Sequence, residues 1–355
     1  MNPIWKPNWP QTRQHYLDWW SGKGLVVSMW GYLRSEGQPH EQPPPPPLAK
    51  DPEQRWFDPH WRSRDIHYQL AHSCLGADII PVADTNLGPC SLAAILGAGM
   101  EPGEETVWIR PDPSIGDQIH IDPSNRWLKA HMELLKACKG LAEGRYFVGC
   151  PDLCEGLDVL VALRGAEPVF MDMGERPQIL EMQLRQINKI YLEVFEQIYQ
   201  IIQVDGEMAF CYFSIWGPGR VAKLQCDVSG MISPKDFRRF AIPYLREQCQ
   251  CLDYTLYHLD GVDALRHLDA ILEIEPLKAI QWTPGAGQPQ GGDPAWYGLY
   301  RRIRKAGKAV MASWVRIDQL MPLLDAVGPD GMAVLVDFRS EDQIEQAAKI
   351  ADRYR

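Results

Sequence analysis

Eight short apolar runs recur along this chain, with stretches of helical periodicity between them, and few folds accommodate that alternation. The runs are Leu25–Trp30, Asp78–Ala83, Tyr146–Cys150, Met208–Ile215, Tyr254–Leu259, Ala279–Trp282, Ala309–Ser313 and Met332–Asp337. Several are apolar at nearly every position, as strands covered on both faces must be. The intervening segments carry 3/4-spaced stripes. Gln178–Gln203 reads Leu180, Leu184, Ile187, Tyr191, Val194, Ile198, Ile202, and Asn125–Ala142 reads Leu128, Met132, Leu135, Leu141. Ser233-Pro234-Lys235-Asp236 and Asp293-Pro294 mark helix starts, and Gly307 marks the stop of the second. No G-x-G-x-x-G follows the first run and no Walker A sequence occurs. The expected fold is therefore α/β, a closed (β/α)₈ TIM barrel with an N-terminal capping extension.

The 355 residues suit one such barrel as well as two ordinary domains, but no linker follows Pro59. Residues 1–60 read as a cap and proline-rich lid of the same unit, and 61–355 as the barrel body, with the first strand near 25–30. The cap holds Trp5, Trp9, Trp19 and Trp20, and Pro43–Pro47 must run as extended polyproline II. The net charge of −10 argues against a nucleic-acid groove. No apolar run is long enough to span a membrane, and no leader stands at Met1–Trp20. Nine cysteines without a disulfide framework point to a reduced, cytoplasmic setting. Cys150/Cys154 and Cys249/Cys251 lack zinc-knuckle spacing and read as structural.

A barrel of this kind places its chemistry at the C-terminal strand ends. Those ends supply Trp30, Asp84, Asp152, Glu155, Trp216, Arg220, Asp227, His258, Asp260, Gln281, Trp282, Trp314 and Asp337. His258 and Asp260 stand two apart on a strand, so both side chains leave the same face. Such a pair serves acid–base work or holds a divalent metal, for which Cys226, Asp227 and Asp337 are third-ligand candidates by strand order. His258, Asp260, Asp227 and Glu155 are the expected catalytic groups. Trp30, Trp216, Trp282 and Trp314 are expected stacking walls, with Asp84, Asp152, Arg220 and Gln281 as polar ligand contacts.

The stretch Met231-Ile232-Ser233-Pro234-Lys235-Asp236-Phe237, then Ile242-Pro243-Tyr244-Leu245 and Tyr257-His258-Leu259-Asp260-Gly261, resembles the uroporphyrinogen decarboxylase superfamily. The resemblance thins out toward Asp65 and Ala351. It implies a (β/α)₈ barrel, and either cofactor-free porphyrinogen decarboxylation or methyl transfer linked to a corrinoid protein, often through zinc. It also implies a small-molecule substrate and a homodimer. The decarboxylase arginine motif is missing, since the first strand ends Ser28-Met29-Trp30-Gly31-Tyr32 with only Arg34 beyond. The zinc enzymes' His-x-Cys is here His258-x-Asp260, and no cysteine follows Cys251. A zinc site would need oxygen ligands, with Asp260 and Asp337 beside His258. The leading expectation is an enzyme of the methyltransferase-like branch. The alternatives are a metal-free lyase, decarboxylase or hydrolase acting on a small hydroxylated or carboxylated ligand, and a non-catalytic binding protein.

Overall fold

The computed structural model describes residues 3–355. Twelve strands form among them: β1 (Leu25–Ser28), β2 (Val82–Ala83), β3 (Gly99–Pro102), β4 (Val107–Arg110), β5 (Phe147–Cys150), β6 (Met208–Phe210), β7 (Ile215–Gly217), β8 (Val221–Gln225), β9 (Tyr254–Asp260), β10 (Ala279–Thr283), β11 (Ala309–Val315) and β12 (Met332–Val336). Six make a parallel sheet in the order β1-β12-β11-β10-β9-β8. A second sheet runs β2-β5-β6-β7, and β3 and β4 form an antiparallel hairpin. No ladder joins β1 to β2 or β8 to β6 among the described residues, so the sheet runs as two arcs. Each of the eight expected runs overlaps a strand, though Asp78–Ala83 contracts to two residues.

The fourth repeat departs from a simple strand–helix unit. After β6 the chain reverses through Phe213 and Ser214, whose φ angles of 64° and 48° are left-handed. Each such non-glycine residue costs on the order of 1–3 kcal/mol. β7 then returns antiparallel to β6, and β8 joins the other arc beside β9. This reversal decides which side chains reach the site.

Helices cover the outer faces. The stripe from Leu180 to Ile202 is buried along the 26-residue helix Pro177–Ile202. Asn125 caps Arg126–Ala142 by accepting from the amides of Trp127 and Leu128 at 2.8 and 3.1 Å. Ser233 caps Pro234–Phe240 in the same way. At the N-terminus, helix Trp9–Trp20 lies across the strand starts. Trp19 donates to the Val310 carbonyl at 3.1 Å and Trp20 to that of Trp216 at 2.8 Å. All nine cysteines are free. No helix among the described residues is long and apolar enough to cross a membrane.

His131, on helix Arg126–Ala142, is fully buried, and neither ring nitrogen has a hydrogen-bond partner. Burial, with Arg62 nearby, pushes its pKa down to about 3. The unfolded chain takes a proton near pH 6.5 and the folded chain does not. Stability from this residue is therefore full above that pH and is lost progressively as pH falls toward 3. At pH 5 the loss is about 2 kcal/mol. His131→Leu should flatten the melting-temperature profile between pH 7 and 5; an unchanged slope would contradict this account.

Candidate active site

Ladder register sets the floor of the site. Gln225, His258 and Gln281 are direct neighbours across β8, β9 and β10. Side chains alternate along a strand, so all three point to the inner face. Asp260 follows on that face at the end of β9, and Asp227 stands just past β8. Gln225, Asp227, His258 and Asp260 line a mouth cavity of about 360 Å³ with Asp84, Asp152 and Tyr212, while Gln281 is buried behind His258.

Asp227, His258 and Asp260 each offer a ligand atom within 4.8 Å of the other two. The orientation of His258 follows from its neighbours. The Gln281 amide nitrogen donates to Thr283 Oγ1 at 2.8 Å and Ser313 Oγ at 2.7 Å. That turns the Gln281 carbonyl toward His258 Nδ1, which donates to it. With Nδ1 carrying the proton, Nε2 is left with a free lone pair. Burial, then the Lys223 charge, lowers the His258 pKa to about 3 against the opposing Gln281 hydrogen bond, so the ring is neutral.

Behind the triad lies a buried polar chain. Lys223 is buried, with its ammonium 2.7 Å from Asp152 Oδ2 and also donating to Gln225 Oε1. Gln225 Nε2 then donates at 2.9 Å to both Asp158 and Asp227. Asp158 accepts further bonds from the amides of Asp227 (2.9 Å) and Val228 (3.0 Å), which pins the turn after β8. Burial disfavours the Lys223 ammonium, but Asp152 foremost outweighs it and holds the pKa above the ordinary lysine value. The acids outnumber this one cation. Asp227 and Asp260 reach solvent through the mouth, yet protein encloses them closely. Burial, then repulsion from Asp158, pushes Asp227 up to about 7. Burial also raises Asp260.

Several expected site residues fall elsewhere. Trp216 is fully buried and meets Trp9 edge-on at 5.1 Å, because the reversal carries it back under the N-terminal helix. Arg220 precedes β8 and pairs with Glu196 at 3.0 Å, away from the mouth. Trp282 is one step from Gln281, so it faces outward and packs on Trp296 at 5.1 Å. Glu155 lies behind Gln225, accepting its backbone N–H, and burial holds its carboxyl well above the usual range. Cys226 is buried outside the mouth lining. Asp337 is not in the triad; it pairs with Arg339 at the rim, and Asp227 takes the third position.

Others sit where the strand ends place them. Asp84 and Asp152 line the mouth. Trp30 packs on Tyr212 at 4.9 Å and on the exposed Trp314 at 5.3 Å. Tyr212 in turn faces His258 at 6.1 Å and lies under the Lys223 ammonium at 4.7 Å. Lys223, Gln225, Asp158, Tyr212 and Arg62 were not singled out from sequence. A signal existed for two of them: Ala222-Lys223-Leu224-Gln225-Cys226-Asp227 alternates apolar and polar, placing Lys223 and Gln225 on one face with Asp227.

Fold and site together define an α/β protein with an acidic, histidine-bearing pocket at its strand ends. No protein-family model matches the chain, and neither does any curated protein. Among solved structures, a methyltransferase from Methanosarcina mazei is similar, with a TM-score of 0.61 and 11% identity over 96% of this chain and 98% of that one. At that identity the likeness shows a shared fold.

Proposed function

We propose that the chain is an enzyme of the methyltransferase-like branch of the uroporphyrinogen decarboxylase superfamily. In this reading the two arcs make the (β/α)₈ barrel of that group. The enzyme moves a methyl group of a small-molecule substrate, using a divalent metal, zinc foremost, and a corrinoid carried by a partner protein. The observation that carries the reading is the convergence of Asp227, His258 and Asp260 at the mouth of a fold shared with a methyltransferase.

The donor set fits such an ion. Nε2 of His258 is unprotonated, and two carboxylates crowd it with excess negative charge that a cation relieves. Asp227, His258 and Asp260 would hold the ion, which would supply Lewis acidity toward a substrate thiol or oxygen. Gln281 holds the imidazole plane, and Gln225 holds Asp227. Lys223 pairs with Asp152 at 2.7 Å without entering the ligand set. Tyr212 and Phe213 shield one side of His258 from water.

Elemental analysis by mass spectrometry, on protein purified without chelator, tests the metal. Stoichiometric zinc or another transition metal is expected, and only a trace of any such metal would remove this part of the reading. A second reading rests on the raised Asp227. Protonated up to about pH 7, it can act as a general acid beside neutral His258, which suits a metal-free lyase or hydrolase.

A further inference from the structure

We infer that the substrate carries a flat ring system, seated in a side cavity that opens off the mouth. The inference rests on the mouth being the reaction site. The side cavity measures about 260 Å³ and shares Trp56, Arg62 and Asp84 with the mouth, so the two lie side by side. A dry cavity of about 150 Å³ already holds benzene. There is room here for one substituted ring or two fused ones.

The walls are aromatic and already held in place. Trp56 Nε1 donates to the Gly103 carbonyl at 2.8 Å, and Trp61 Nε1 donates to that of Pro47 at 2.8 Å. The Tyr32 hydroxyl is spent on Ile80 and Val82 carbonyls at 2.9 and 3.1 Å. With their polar atoms tied to backbone, the three rings present carbon to the cavity. Ile66 and Leu70 add aliphatic lining. Rings fixed beforehand lose little freedom when a ligand stacks on them. The Trp61 anchor also explains what the proline run does: its last carbonyl holds a cavity wall.

Charge supports a division of labour. The side cavity carries Arg55 and Arg62 against Asp65 and Asp84, two of each sign, so it selects by shape and stacking. The mouth carries Asp84, Asp152, Asp227 and Asp260 against Arg62. Arg62 stands at the junction, 8% exposed, with its guanidinium donating to the carbonyls of Trp56 (3.2 Å), Asp84 (3.3 Å) and Asn86. The ring is gripped on one side of Arg62 and the reacting end lies on the other.

Ligand-observed NMR on the full chain, with indole as the probe, tests this. Saturable binding is expected for the unaltered protein. Ile66→Trp, which fills the cavity from helix Pro59–Ala71, should weaken it by about tenfold or more. Trp61→Ala, which removes a wall without adding bulk, should do the same. His258→Ala should retain indole binding. Added Mn²⁺ should broaden bound indole in the unaltered protein and not in His258→Ala, since the ring sits beside the proposed metal ligands. No indole binding, or binding unmoved by both cavity variants, overturns the inference. Binding lost in both variants with no Mn²⁺ broadening supports the ring pocket and overturns only the metal reading.

Discussion

Replacing Lys223 by methionine is expected to cost about 3–5 kcal/mol of folding stability, the range for removing one partner of a buried ion pair. Among the described residues, the ammonium is the one cation hydrogen-bonded into the buried network that links Asp152 through Gln225 to Asp227. Methionine fills similar volume, so the loss reports charge and not a cavity. Asp152 would be left buried without its partner, and Gln225 Oε1 without a donor. Denaturant unfolding at neutral pH measures the effect. The double variant Lys223→Met/Asp152→Asn should recover much of it, because the uncompensated charge is gone. A loss below about 1 kcal/mol, as for an exposed pair, would show that water reaches Lys223 and that the chain is not the buried frame described here.

His258→Ala should abolish stoichiometric metal binding, and Gln281→Leu should weaken it by about 10–100-fold, the usual effect of losing a partner that orients a histidine ligand. The contrast matters more than either value. Gln281 touches no proposed ligand position; it acts by donating to Thr283 and Ser313 and so turning its carbonyl to His258. Leucine removes that acceptor and frees the imidazole to rotate or change tautomer. Calorimetric titration with zinc gives both affinities. Equal losses from Gln281→Leu and His258→Ala would mean the glutamine is a ligand itself. No loss from His258→Ala would reject the triad.

The strand ends were legible to the extent that alternation is local. His258 and Asp260 share a face because they are two apart, and the same rule places Gln281 inward. Applied strictly, it also sends Trp282 outward, since neighbours on a strand cannot both line the mouth. The Val221–Asp227 pattern was equally open to reading, and would have brought Lys223 and Gln225 forward. Trp216 and Arg220 went astray for a different reason. The reversal at Phe213 and Ser214 places non-glycine residues in left-handed conformations, and no glycine or proline announces it there. Trp216 and Arg220 follow that turn directly, and the antiparallel return of β7 carries both away from the mouth.

Local periodicity was therefore sufficient for the alternating α/β order, the buried helix stripes, and the shared face of His258 and Asp260. These depend on residues a few positions apart. It could not select Asp227 over Asp337 as the third member of the triad, or reveal that Asp158 fixes the turn bearing Asp227. It could not show that the proline run anchors Trp61. Those relations join residues remote in the chain, and their distances and burial arise only when the arcs assemble. The same assembly removes water from Lys223 and His258, and that desolvation turns common side chains into a charged buried frame and a neutral, lone-pair-bearing imidazole.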